Sequence, residues 1–260
     1  SRHPEPSRTA GTAGEDRASS AISLRCLGAF VLEIGGQVVD VAAAKPRARS
    51  TLRLLAAHAG QPVHVETLID ALWPDSDAAV GKRSLQVTLS SLRRLLDEHA
   101  PGSGALVARS GNAYVLALPP GSTADVVAFA EAREQCRAAA RQGEVRAVVE
   151  AGEAALAAYG GDLLPEEGPA EWVVPPRRHL AQDAAGVAVL VAESALVAER
   201  YDVAVGACQR GLDIDRYSDA LWRLLALAHE RAGDVAAAAA AREGYQAILD
   251  DLGVEAHLGL

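Results

Sequence analysis

Methionine is absent from this chain, lysine occurs only as Lys45 and Lys82 among 25 basic residues, and aromatic residues make up only 4%. Hydrophobic residues nevertheless make up 50% of the chain, much of that alanine. Alanine-rich, aromatic-poor composition suits closely packed helices and argues against a β-sandwich. With no methionine to begin it, the chain is expected to be a piece of a longer protein or a processed product. The three cysteines, Cys26, Cys136 and Cys208, are isolated and odd in number. They exclude a disulfide framework and a cysteine metal site, and read as small buried hydrophobes in a reducing, cytoplasmic compartment. No apolar run approaches the roughly 18 uninterrupted residues of a membrane span, so no membrane partner is expected. The common catalytic signatures are missing too. "GKRS" at 81–84 has the lysine of a phosphate-binding loop but neither its upstream glycine nor the hydroxyl that should follow. H-E-x-x-H and G-x-S-x-G do not occur. Neither an enzyme, nor a cofactor, nor a metal site is expected.

A formal net charge of −9 argues against an anionic partner until it is divided along the chain. Residues 21–118 hold ten Lys/Arg and eight Asp/Glu, a balance of +2, whereas residues 119–260 carry −11. Acidity therefore belongs to the second half, and the first half is free to meet DNA.

The first 20 residues, rich in Ser, Gly, Ala and Pro without apolar period, read as a disordered linker or a processing remnant. Alternation in "ISLRCLGAFVLEIGGQVVDV" predicts strands over 23–34 and 37–41 about a Gly-Gly turn. "KPRARSTLRLLAAHAG" (45–60) predicts a helix with Leu52, Leu55 and Ala56 inward, and "VHVETLIDALWP" (63–74) a second with Leu68, Ile69 and Leu72 inward. Trp73 is read as core in preference to a DNA-side contact. "GKRSLQVTLSSLRRLLDEH" (81–99) predicts a third, whose leucines 85, 89, 92 and 96 form one stripe. "GALVARSGNAYVLALP" (104–119) predicts a hairpin. Strands, three helices and a terminal hairpin are the order of a winged helix-turn-helix, in which the third helix enters a major groove and the hairpin is the wing. From Asp125 onward helix follows helix, with turns at 141–144, 199–202, 213–219 and 230–234. "AERYDVAVGAC" and "HERAGDVAAAAA" echo each other at a spacing of 32 residues, close to the roughly 34-residue helix-hairpin (TPR) repeat. "GPAEWVVPP" (168–176) interrupts the repeats. The fold class is thus mainly α: an α+β winged helix-turn-helix over 21–119, then an all-α TPR-like helical-repeat domain over 123–255.

These elements in this order, with "KPRARSTLRLLAAHAG", "LIDALWPD", "LQVTLSSLRRLLDE" and "ARSGNAYVL", resemble the Streptomyces antibiotic regulatory protein type of bacterial regulator, whose DNA-binding module is an OmpR-like winged helix. In the second half "GDLLPE", "GPAEWV", "RYSDALWRLLALAHERAGDVAAA" and "LDDLGVE" resemble the bacterial transcriptional activation domain that accompanies it. The resemblance covers about residues 22–255. It implies a transcriptional activator binding direct repeats in promoter double-stranded DNA. The helical domain would arrange a homodimer on DNA or contact RNA polymerase holoenzyme.

A helical step of about 100° per residue places Arg83, Val87, Ser90 and Arg94 opposite the leucine stripe. The segment matching the family's recognition helix is the same one. Arg83, Gln86, Val87, Thr88, Ser90 and Arg93 are therefore expected to approach the duplex. Arg and Gln can bond guanine or adenine edges, and an outward valine suits a thymine methyl. Lys82 and Arg94 are expected at phosphates. Arg109 matches a basic wing position and Asn112 its tip, where the family's Gly-x-Gly-Tyr reads Ser-Gly-Asn-Ala-Tyr; Tyr114 is expected to pack inward. The backbone amide near His64, at the start of the second helix, could cap a phosphate. Two other readings stay open: a protein-interaction module without DNA binding, and a ligand-sensing domain of a larger regulator.

Overall fold

The computed structural model describes residues 21–253, so the expected linker at 1–20 lies outside the described residues. The chain divides into two compact units, one comprising the described residues to Cys26 and Phe30–Ala124, the other Leu27–Ala29 and the chain from Asp125.

In the first unit, β1 (Ile22–Arg25), β2 (Val31–Ile34), β3 (Gln37–Val38) and β7 (Thr123–Ala124) form a sheet in the order β3-β2-β1-β7. The single strand expected over 23–34 is two strands, paired antiparallel with Ile22 opposite Ile34 and Arg25 opposite Val31. The apolar residues at even positions, Ile22, Leu24 and Cys26 before the reversal and Phe30, Leu32 and Ile34 after it, keep one phase, and the break at Leu27–Gly28 is the only local sign of the turn. The strand expected over 37–41 is confined to β3, and Asp40 instead caps a short 3-10 turn through the Ala42 amide at 3.0 Å. β7 adds a parallel pairing to β1 that nothing in its two residues announces.

Three helices follow: α1 (Pro46–Ala57), α2 (Val65–Leu72) and α3 (Ala78–His99). Pro46 occupies the first turn of α1, where its missing N–H costs nothing. Leu52, Leu55, Ala56, Leu68, Ile69, Leu72 and the four leucines of α3 are all buried, so the three apolar stripes meet in one core. β4 (Val63–His64), β5 (Val107–Ser110) and β6 (Ala113–Leu116) form a second sheet in the order β4-β6-β5. The wing is thus three-stranded, because Val63 and His64, expected inside the second helix, are extended and pair with Tyr114 and Ala113.

The second unit is built from α4 (Asp125–Gln142), α5 (Val145–Ala158), α6 (Val174–Val197), α7 (Tyr201–Ile214), α8 (Asp219–Arg231) and α9 (Val235–Asp251). Each helix packs on the next, and α6 also packs on α4 and α8. Small residues allow the close approaches: a Cβ on Gly211 of α7 would lie 2.6 Å from Leu221 Cδ1 and 2.7 Å from Ala188 Cβ. The interruption at 159–173 is held by Arg177 of α6, which donates to the carbonyls of Leu163 and Leu164 at 2.8 Å and of Gly168 at 3.0 Å. By length and composition α6 could cross a membrane, with a mean hydropathy of 1.5 over an 18-residue window. Its buried Asp183, however, accepts from Arg133 and Arg137 of α4, and helices cover it on several sides. Its apolarity is that of a central helix in a helical stack.

Candidate DNA-binding interface

α3 places the candidate reading residues. Its inner face is fixed by Leu85, Leu89, Leu92 and Leu96, each 1% exposed or less. At its first turns Gly81 is buried, and a Cβ there would stand 2.5 Å from Ile69 Cγ2. α2 and α3 therefore cross too closely at this point for any side chain.

The outer face is open. Lys82, Arg83, Gln86, Val87, Ser90 and Arg94 are exposed, and Thr88 is half-buried on the flank. Val87 is 66% exposed, an apolar side chain left in water at the centre of a helix face. Val80, which the sequence reading passed over, lies nearly two turns earlier on the same face and is 52% exposed; the spacing of seven residues from Val87 was its signal. The Arg83 side chain makes no hydrogen bond or ion pair with another described residue. Ser90 Oγ donates to the Gln86 carbonyl at 2.9 Å, and Arg94 lies 3.6 Å from Glu98 in a solvent-exposed pair.

Arg93 departs from expectation. It is half-buried, and its Nε and a terminal nitrogen donate to the Val107 carbonyl at 2.9 and 2.8 Å. Its guanidinium carbon lies 5.8 Å from the centre of the Tyr114 ring. The side chain reaches along the flank of α3 to β5 and β6 instead of outward, because a carbonyl acceptor and a ring face lie within its span.

The remaining candidates gather around the wing. β5 and β6 pair from Val107 opposite Leu116 to Ser110 opposite Ala113, leaving Gly111 and Asn112 as a two-residue turn. Gly111 takes φ +59°, so this turn keeps a tight hairpin despite its departure from the family pattern. Arg109 Nε donates to Gly111 O at 3.1 Å, and both Arg109 and Asn112 are exposed. Tyr114 is buried, as expected. The Val65 amide donates to Asn112 O at 3.0 Å, and His64 pairs with Ala113. The start of α2 and the wing turn are therefore neighbours, although 47 residues separate His64 from Gly111. That amide is already satisfied, so a phosphate at this end of α2 would use other donors than Val65 N. Trp73 is half-buried, with the Arg47 guanidinium 6.0 Å from its ring centre.

Comparisons with known proteins agree with this fold. Residues 40–116 match the family described as transcriptional regulatory protein, C terminal, and residues 124–260 match the bacterial transcriptional activator domain. The Mycobacterium tuberculosis transcriptional regulatory protein MoaR1 is 25% identical over 211 residues, covering 81% of this chain and 67% of its own length. The transcriptional regulatory protein EmbR of Mycobacterium bovis is 25% identical over 246 residues, covering 94% of this chain. The chain spans only 62% of that relative. The solved structure of Mycobacterium tuberculosis EmbR in complex with a low affinity phosphopeptide superposes with a TM-score of 0.72 at 24% identity, over 90% of this chain and 61% of that one. With a winged helix-turn-helix ahead of a matched activator domain, the chain belongs to the bacterial transcriptional activator domain family and is a DNA-binding transcriptional regulator.

Proposed function

We propose that the chain is a cytoplasmic transcriptional activator that binds direct repeats in promoter DNA, one winged helix per repeat, with α3 in the major groove. Arg83 and Gln86 read base edges, Val87 meets a thymine methyl, and Thr88 and Ser90 complete the face. Lys82 and Arg94 contact phosphates, while Arg109, Asn112 and the His64 end of α2 contact the flanking backbone. The helical unit contacts RNA polymerase holoenzyme and a second copy on adjacent repeats. No catalysis is assigned to the chain.

One observation carries this reading: the outer face of α3 exposes Arg83, Gln86, Val87 and Ser90 together, with Arg83 uncommitted to any described neighbour. Few charges and several short uncharged groups suit selection of a site better than tight non-specific binding. The test is fluorescence anisotropy on promoter-derived direct repeats against scrambled duplex, titrated with salt. The expected result is a clear preference for the repeats, lost in Arg83→Ala. Equal affinity for both duplexes defeats the reading and favours a protein-interaction role. RNA polymerase pull-down with the helical unit intact tests the second partner.

A further inference from the structure

We infer that Arg93 is a positioning residue that locks the wing to the recognition helix, so that both meet DNA in one preset geometry. The inference rests on the DNA-binding reading above. Arg93 is attached to α3 at one end, and its guanidinium is attached to both strands of the wing hairpin at the other. Two N–H groups converge on the carbonyl of Val107 in β5 at 2.9 and 2.8 Å. The cationic plane also lies 5.8 Å from the Tyr114 ring of β6. Tyr114 faces Arg109 on β5 and Val63 on β4, so one side chain touches the strand pair that carries the wing turn and stands beside the strand leading into α2. A planar fork can aim two N–H groups at one carbonyl while its cationic carbon lies near a ring, whereas an ammonium is a point charge without that fixed fork. Because Val107 O is the acceptor, the contact depends on the backbone of β5 and not on a neighbouring side chain.

Two measurements on the full chain test this. Hydrogen–deuterium exchange without DNA compares wild type with Arg93→Lys and Arg93→Gln. Both variants should speed exchange across 107–116 by about tenfold, the scale of one lost charge-assisted hydrogen bond, while α1 and the helical unit stay unchanged. Affinity is then measured on a duplex selected by the wild-type chain from a random double-stranded library. Arg93→Lys should lose as much as Arg93→Gln, with the salt slope unaltered. The loss should shrink to less than about twofold in an Arg109→Ala/Asn112→Ala background, where the wing no longer reports its position. A merely fold-stabilising role would leave the same loss in both backgrounds. Full rescue by lysine, or a salt slope flatter by about one for Arg93→Gln, makes Arg93 a phosphate contact and overturns the inference. Unchanged exchange in the wing overturns it as well. If wild type selects no duplex, the DNA-binding reading fails, and exchange alone still judges the tether.

Discussion

Arg83→Ala isolates base reading from folding. The Arg83 side chain projects from the outer face of α3, is exposed, and makes no hydrogen bond or ion pair with another described residue. Truncation therefore opens no cavity and strands no partner, and stability should change by no more than about 0.5 kcal/mol. A bidentate contact to a base edge contributes about 1–3 kcal/mol of discrimination, which is roughly a 5- to 150-fold loss on the preferred duplex. Binding to scrambled DNA should fall far less. Arg94→Ala is the matched control, since Arg94 lies on the same face but is 3.6 Å from Glu98 with both side chains largely in solvent. An exposed pair of this kind contributes about 0–1 kcal/mol, so stability again changes little. If Arg94 meets a phosphate, its loss weakens all duplexes alike and reduces the salt slope by about one. Anisotropy titrations at four salt concentrations, with thermal unfolding alongside, separate the two variants. Were Arg83→Ala to weaken preferred and scrambled DNA equally, the arginine would be a phosphate contact and the assigned reading register of α3 would be wrong.

Gly81→Ala should destabilise the first unit by about 1–3 kcal/mol in urea unfolding, because the new Cβ would stand 2.5 Å from the branched Ile69 Cγ2; an unchanged midpoint would show that α2 and α3 can part freely. Asp183→Asn removes the carboxylate that accepts from Arg133 and Arg137. The cost should fall at or below the lower end of about 3–5 kcal/mol, since the Arg137 side chain keeps 40% exposure; denaturant titration showing none would mean the cluster is not structural. Burial pushes the Cys208 thiol from an ordinary 9.0 up to about 12. Burial likewise raises the Tyr159 hydroxyl to about 12, with Asp162 adding to the effect and Arg177 opposing it. Both groups stay protonated in the fold at pH values where the unfolded chain ionises, so unfolding releases protons there. Stability of the helical unit should be level below about pH 9 and decline from there toward pH 12, and Cys208→Ala should flatten part of that decline. A melting temperature that stays constant from pH 8 to 11.5 would refute this.

What could be read from the sequence follows a physical divide between local and non-local determinants. The leucine spacing of α3 is local: each buried side chain is set by the same helix that carries it, so the period also fixes the opposite, exposed face. The helical second half was legible for the same reason, each helix being set by its own alanine-rich run and by the turn that ends it. Gly81 was visible only as the glycine of an incomplete phosphate-loop motif; its actual role depends on Ile69, on another helix. The β1–β2 reversal and the β7 pairing depend on partners that alternation does not name. Arg93 is the sharpest case. Its position on the flank of α3 follows from the helical period, and it was assigned to DNA on that ground. Where a long side chain points, however, is decided by which acceptor lies within its span, and the acceptor is a carbonyl 14 residues further on in β5. Periodicity thus identifies the exposed face proposed to choose among sequences, with Arg83, Gln86 and Val87 on it, but not the contact that holds the wing beside it. An exposed reading face can change its side chains without disturbing the fold, whereas the Arg93 tether cannot change without moving the wing. On the proposed reading, specificity and docking geometry rest on different faces of one helix, and substitutions on the two should give separable signatures.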